Sequence, residues 1–284
     1  MLVVFVAYLL IVIVIALWSA RKSRNADDYI LGGKKISGFY LALSERATGE
    51  SAWLLLGMTG FAYTYGLSAI WVALGCVIGI LFIWIFMADR LRELTAETGS
   101  LTINSLFSKK FPEASRSIGF LTSAIVIFFF MFYIAAQFEG SGKVLHETFG
   151  LSPFWGMIIG SFVVIIYTVL GGFITVVATD VFQALLMIIT LVVLPIIILF
   201  ICFSNETIIN FSHTAALYNL TNNKSGWEAA ILVLSGLSWA LGYTGQPQLL
   251  TRMMAIRNKK EVKTDYDDLK DQLYDNPSDS QLPC

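Results

Sequence analysis

The apolar positions of this chain fall into long unbroken runs with polar residues concentrated between them. A helix crossing the hydrocarbon of a bilayer needs about 20 residues. Seven runs qualify, at roughly 2–19, 38–66, 70–88, 118–142, 152–171, 177–203 and 228–248. A transmembrane β-barrel would instead show alternating segments of roughly ten residues. The pattern therefore predicts an all-α, polytopic helical membrane protein with about seven spans. The fifth and sixth runs meet at Gly171-Gly172-Phe173, so a tight turn is expected there.

The second run is the irregular one. Glu45, Arg46, Thr48, Gly49, Glu50 and Ser51 interrupt it. Ionisable residues inside a span cost several kcal/mol unless they face a partner or a cavity. Two readings stand. Either the helix breaks near Ala47–Ser51 and offers carbonyls and the Ser51 hydroxyl to a cation, or Glu45 and Arg46 pair near the headgroups while Ser51 bonds back to its own helix.

Charge sets the expected orientation. With the N-terminus outside, segments 20–37, 89–117 and the tail after 248 lie on the cytoplasmic side. They hold 5, 5 and 6 of the 19 lysines and arginines, leaving Lys143 and Lys224 outside and Arg46 in the broken span. Cytoplasmic enrichment of basic residues is the usual bias of membrane proteins. Arg21, Lys22 and Arg24 follow the first apolar run instead of preceding it, so that run is expected to be a true span, not a signal peptide. Residues 101–111 predict a short amphipathic helix at the inner surface. Sequons stand at Asn205, Asn210, Asn219 and Asn223 in a polar outer loop where chance explains them equally well. Residues 264–284 carry six aspartates and few apolar residues, as in a solvated, disordered tail.

The 284 residues are 56% hydrophobic and 14% charged, too little charge for an ordinary soluble domain. Cys76, Cys202 and Cys284 show no metal-ligand spacing and no disulfide framework. No nucleophile–base set, zinc motif, phosphate loop or dinucleotide fingerprint is present, so neither an enzyme nor a nucleic-acid partner is expected.

Several residues can carry transport chemistry, each with an alternative. Asp180, after Thr175 and Thr179, either caps a helix N-terminus or joins Thr179 in an oxygen-rich pocket. Trp239 and Tyr243 lie four apart on one helix face. They either wall a solute site or belong to an interfacial aromatic belt. Gly242, Gly245 and Pro247 then disrupt that helix, which favours a hinge. Tyr133 sits mid-span, where its hydroxyl either bonds a neighbouring carbonyl or faces a cavity.

These segments resemble the sodium:solute symporter family, most closely its bacterial sodium/proline members. The resemblance rests on Asp27-Asp28-Tyr29-Ile30-Leu31-Gly32-Gly33, the broken span, Ile166-Tyr167-Thr168-Val169-Leu170-Gly171-Gly172-Phe173, and Leu241-Gly242-Tyr243-Thr244-Gly245-Gln246-Pro247. It implies part of an inverted-repeat transporter fold of five plus five helices. Residues 1–20 would be an extra N-terminal span, 38–203 the first repeat and 227–250 the first helix of the second. It implies sodium as coupling ion, with no other cofactor, near Ala47, Glu50, Ser51 and Asp180. A small solute, proline first, would lie near Ser51, Ala52, Trp53, Tyr133, Trp239, Tyr243 and Pro247. The expected location is the bacterial inner membrane. Two departures stand out. Sodium/proline symporters carry an aspartate where this chain has Gly49, and here the nearby acid is Glu50, about 100° further round a helix. Family members also carry further second-repeat spans with sodium-ligating hydroxyls. The expectation is a truncated symporter that does not transport alone. The alternative is a non-transporting fragment or a regulatory partner of a full-length symporter.

Overall fold

The computed structural model describes residues 1–204 and 218–257. The acidic segment 264–284 and the sequons at Asn205 and Asn210 lie outside the described residues. Twelve α-helices are named here, α1 to α12, and no strand occurs among the described residues; a single parallel bridge joins Ile36 and Ile256.

Helix α1 is Leu2–Ala20, and α2, Ala26–Leu31, follows it. The second apolar run becomes α3, Gly38–Gly49, a π-helical stretch at Trp53–Met58, and α4, Thr59–Tyr65. The third becomes α5, Ile70–Phe82, with a second π-helical stretch at Ile83–Met87 that leads into α6, Ala88–Thr98. The expected amphipathic helix appears as α7, Ile103–Lys110. Thr102 and Ser105 form a reciprocal capping box at its start.

Helix α8, Ser115–Phe149, covers the fourth run. The fifth and sixth runs form one helical stretch, α9, Pro153–Ser204, redirected at Gly172 (φ 61°, ψ −145°). No loop separates the two: a single residue makes the kink, and only glycine tolerates that conformation at no steric cost. A Cβ there would collide with the Tyr29 carbonyl oxygen. The last run splits into α10, Gly226–Leu237, α11, Trp239–Tyr243, and α12, Pro247–Met254. Four stretches are long and apolar enough to cross a membrane: Leu2–Ala20, Trp53–Thr98, Pro112–Phe149 and Pro153–Phe203.

Helix α9 packs against α1, α3 and α8, while α5 packs against α10 and α11. The α5 contact is backbone on backbone. A Cβ at Gly75 would lie 2.6 Å from the Gly236 carbonyl oxygen, and one at Gly79 would lie 2.7 Å from that of Ala240. Small residues at such crossings let helices approach closely where no water is available to drive association.

The core concentrates at one end, around Leu31, Leu41, Ile83, Leu249, Met253, Met254 and Ile256. This is the basic end. Lys34 Nζ donates to the Thr95 carbonyl at 2.9 Å, and Arg92 donates to the Ile256 and Arg257 carbonyls at 3.1 and 2.8 Å. Burial pushes the Lys34 ammonium below its ordinary pKa, and the Arg92 charge adds to that.

Candidate functional site

The interruption in the second run is mild. Glu50, just past the end of α3, stays in the right-handed region with φ −88° and ψ −6°. Its consequence for hydrogen bonding is larger. The Ala52 N–H donates to Gln137 Oε1 on α8 at 2.9 Å, and the Trp53 N–H to Ser51 Oγ at 3.4 Å. The Glu50 carbonyl accepts from the Leu54 N–H at 3.2 Å and keeps its second lone pair. The Tyr133 hydroxyl donates to the Thr48 carbonyl at 3.4 Å.

Glu45 and Arg46 do pair, and Glu50 joins them. Arg46 Nε donates to Glu45 Oε2 at 2.7 Å and its Nη1 to Glu50 Oε1 at 3.0 Å. The Arg46 guanidinium also lies 5.9 Å from the Tyr243 ring centroid. The pairing thus sits beside the interruption, linking it to α11.

A second charge cluster forms around Asp180. Its Oδ2 accepts from Ser44 Oγ at 2.6 Å, Thr48 Oγ1 at 3.1 Å and Arg252 Nη2 at 2.9 Å. Arg252 also donates to Ser44 Oγ at 3.0 Å, to the Gln248 carbonyl at 2.6 Å and to Thr48 Oγ1. Asp180 and Arg252 are 6% and 5% exposed, so the pair is withdrawn from solvent. Asp180 lies within α9, eight residues beyond the Gly172 kink, so it caps no helix N-terminus. Thr179 is buried, but its hydroxyl donates to the Thr175 and Val176 carbonyls of its own helix.

Two cavities flank Trp53. One, of about 350 Å³, is lined by Ser51, Ala52, Trp53, Tyr133 and Gln137 among others. The other, of about 440 Å³, includes Trp53, Phe61, Tyr65, Glu228 and Trp239. Trp53 lines both, and its ring centroid lies 4.5 Å from that of Trp239, which lines the second. Tyr243 is buried at 2% exposure within the core. Pro247 opens α12 after the extended Gln246, so a hinge-like gap separates α11 from α12.

The profile of the sodium:solute symporter family matches residues 29–269. The chain belongs to the sodium:solute symporter family. It is 32% identical over 260 residues to sodium/proline symporters of Staphylococcus aureus strains JH9 and NCTC 8325. That alignment covers 91% of this chain and 50% of each relative, so the chain spans about half their length. Among solved structures, the substrate-bound outward-open state of a Na+-coupled sialic acid symporter superposes with a TM-score of 0.73 at 22% identity. The match covers 92% of this chain and 54% of that one. The chain has the fold of about half of this helical transporter, and it is an integral membrane protein.

The structure brings Ser51, Ala52, Trp53 and Tyr133 to one cavity and Trp239 to its neighbour. Ala47 lies half-buried near the end of α3, and Glu50 directs its carboxylate to Arg46. Asp180 stands apart from the cavity, bound to Arg252. The Tyr133 hydroxyl bonds the Thr48 carbonyl, and the residue is also among those lining the cavity. Sequence reasoning missed Arg252, counted among loop cations although Leu249, Leu250, Met253 and Met254 surround it in sequence. It also missed Ser44 and Gln137, and it named Thr48 in the interruption without its partner Asp180. For Gln137 the available signal was an amide inside a span, one helical turn after Tyr133.

Proposed function

We propose that this chain supplies the interrupted helix, the solute wall and the counter-charges of a sodium-coupled symporter for a small amphipathic solute, proline first. The observation that carries this reading is the convergence of Ser51, Ala52, Trp53 and Tyr133 on one cavity at the interruption of α3. Its volume, about 350 Å³, falls at the small end of the range for ligand sites. Trp53 and Trp239 offer the solute an apolar wall, and Tyr243 and Pro247 support it from α11 and the start of α12. The similarity to sodium/proline symporters favours proline among solutes of this size.

Electrostatics favours a cation. Glu45, Glu50 and Asp180 face two guanidiniums, Arg46 and Arg252, so the ionised group carries one negative charge in excess. Sodium would sit against the carbonyls of Ala47 and Glu50 and the Ser51 hydroxyl, with Asp180 contributing when Arg252 withdraws. Helix α12 carries Arg252 and begins at a hinge, so its motion relative to α3 opens and closes this end. A cation and a solute that favour the same arrangement tighten each other's binding reciprocally. In this reading, residues 1–20 form an extra span, 38–203 the first inverted repeat and 227–250 the start of the second. The N-terminus faces outward across a bacterial inner membrane.

The test is labelled-proline binding, with and without sodium, to this chain joined to the C-terminal half of a sodium/proline symporter. Sodium-dependent binding that weakens in Ser51→Ala and Asp180→Ala is expected. Binding indifferent to sodium, or none, would refute the proposal and favour a non-transporting membrane partner.

A further inference from the structure

In a regular α-helix the Ala52 N–H would donate to the Thr48 carbonyl, four residues earlier. Here both groups are taken by another helix. The Ala52 N–H goes to Gln137 Oε1 at 2.9 Å, and the Thr48 carbonyl accepts from the Tyr133 hydroxyl at 3.4 Å. Tyr133 and Gln137 are one turn apart on α8, hence on one face. Gly140 continues that face: a Cβ there would lie 2.8 Å from the Ala52 Cβ, so α8 runs against the interrupted turn with nothing between. Side chains inserted into the i→i−4 ladder are one of the few causes of a sharp helix kink.

We propose that Tyr133 and Gln137 act as a splint, each satisfying one half of a divided backbone hydrogen bond and so holding the Thr48–Ala52 turn open. The splint fixes where Ser51 and Ala52 face the 350 Å³ cavity, which Tyr133 and Gln137 also line. Gln137 is therefore a positioning residue for the solute cavity, and Tyr133 serves as both wall and splint. Thr48 extends the arrangement, because its hydroxyl is bound to Asp180 and Arg252 while its carbonyl is bound to Tyr133. The consequence for transport rests on the symporter reading. The splint itself does not.

The two parts predict an unusual sign. Removing one partner strands one backbone group. Removing both frees the two groups to rejoin each other as an ordinary helical bond. Hydrogen–deuterium exchange of the 47–54 peptide is measured on the reconstituted 284-residue chain, without sodium or solute. Gln137→Leu and Tyr133→Phe should each speed exchange, by about 5- to 150-fold for one unpaired buried group. The double variant should exchange as slowly as the parent or more slowly. Gln137→Glu, which keeps the acceptor, should restore parental exchange, and Gln137→Met provides a second deletion of the acceptor should Gln137→Leu not fold. A double variant that exchanges faster than either single one would overturn the proposal, because two independent structural contacts would then simply add. Sodium and solute play no part in this measurement, so a failed proline-binding experiment leaves its result intact.

Discussion

Burial should make the Asp180–Arg252 pair far more costly to break than the exposed pair on α8. Both pairs are close, at 2.9 Å for Arg252–Asp180 and 2.7 Å for Lys143–Glu139. Their side chains differ in exposure: 6% and 9% for the first pair, 61% and 65% for the second. Arg252→Met removes the guanidinium at similar length. It leaves a buried carboxylate with only Ser44 and Thr48 as donors. Leaving one partner of a buried pair uncompensated costs about 3–5 kcal/mol. That is a large share of a total stability on the order of 5–15 kcal/mol. Lys143→Met should cost no more than about 1 kcal/mol, the ceiling for exposed pairs. Unfolding in mixed micelles, followed by tryptophan fluorescence, reads both variants on one scale. Asp180→Asn in the Arg252→Met background should recover at least about 2 kcal/mol, because the stranded charge is gone. Equal, small losses for Arg252→Met and Lys143→Met would refute the reasoning and mean that solvent reaches the Asp180 site.

Gly79→Val should destabilise the chain by about 1–3 kcal/mol through overpacking, read as a lower melting temperature, while Gly60→Val, with nothing within 4 Å, serves as a neutral control. In a complete transporter carrying this half, Trp239→Ala should raise the apparent solute constant about 5- to 150-fold, for a desolvated aromatic worth about 1–3 kcal/mol. Trp18→Ala should be nearly silent there, since Trp18 is an exposed residue beneath Lys22; equal silence in both would make Trp239 a packing residue. With the native cysteines replaced, an impermeant thiol reagent added from outside should label Lys224→Cys and spare Lys110→Cys, and the reverse would invert the proposed orientation.

The helical class was readable from apolar length, but the expected seven runs correspond to four stretches long and apolar enough to cross a membrane among the described residues, and less was readable where single residues decided. The helical class followed from the long runs, and α7 from the pattern between Leu101 and Phe111. The irregularity was visible as charged residues in an apolar run, the sequence left two readings of it open, and the Arg46–Glu50 pairing follows from their spacing of four. Arg252 was not readable as Asp180's partner. The two are 72 positions apart, and a basic residue after the last span looks like any cytoplasmic cation. Tyr243 was grouped with Trp239 by helical spacing, yet it lies in the core while Trp239 lines a cavity. Gln137 escaped because its partner is a backbone N–H that a regular helix would have kept. No pattern of side chains announces a hydrogen bond that the backbone declines to make with itself.

The glycine crossing between α5 and α10–α11 limits which parts can move. Where helices meet through side chains, rotamers can reshuffle and allow sliding. At Gly75 and Gly79 main chain rests on main chain, so there is nothing to rearrange. Helix α5 and the segment bearing Trp239 therefore travel together, as one plank. Any change in the width of the cavity beside Trp53 is then a movement of the Trp53 segment against that plank, and the non-helical backbone joining the two is at Gly66 (φ 62°, ψ −140°), between α4 and α5.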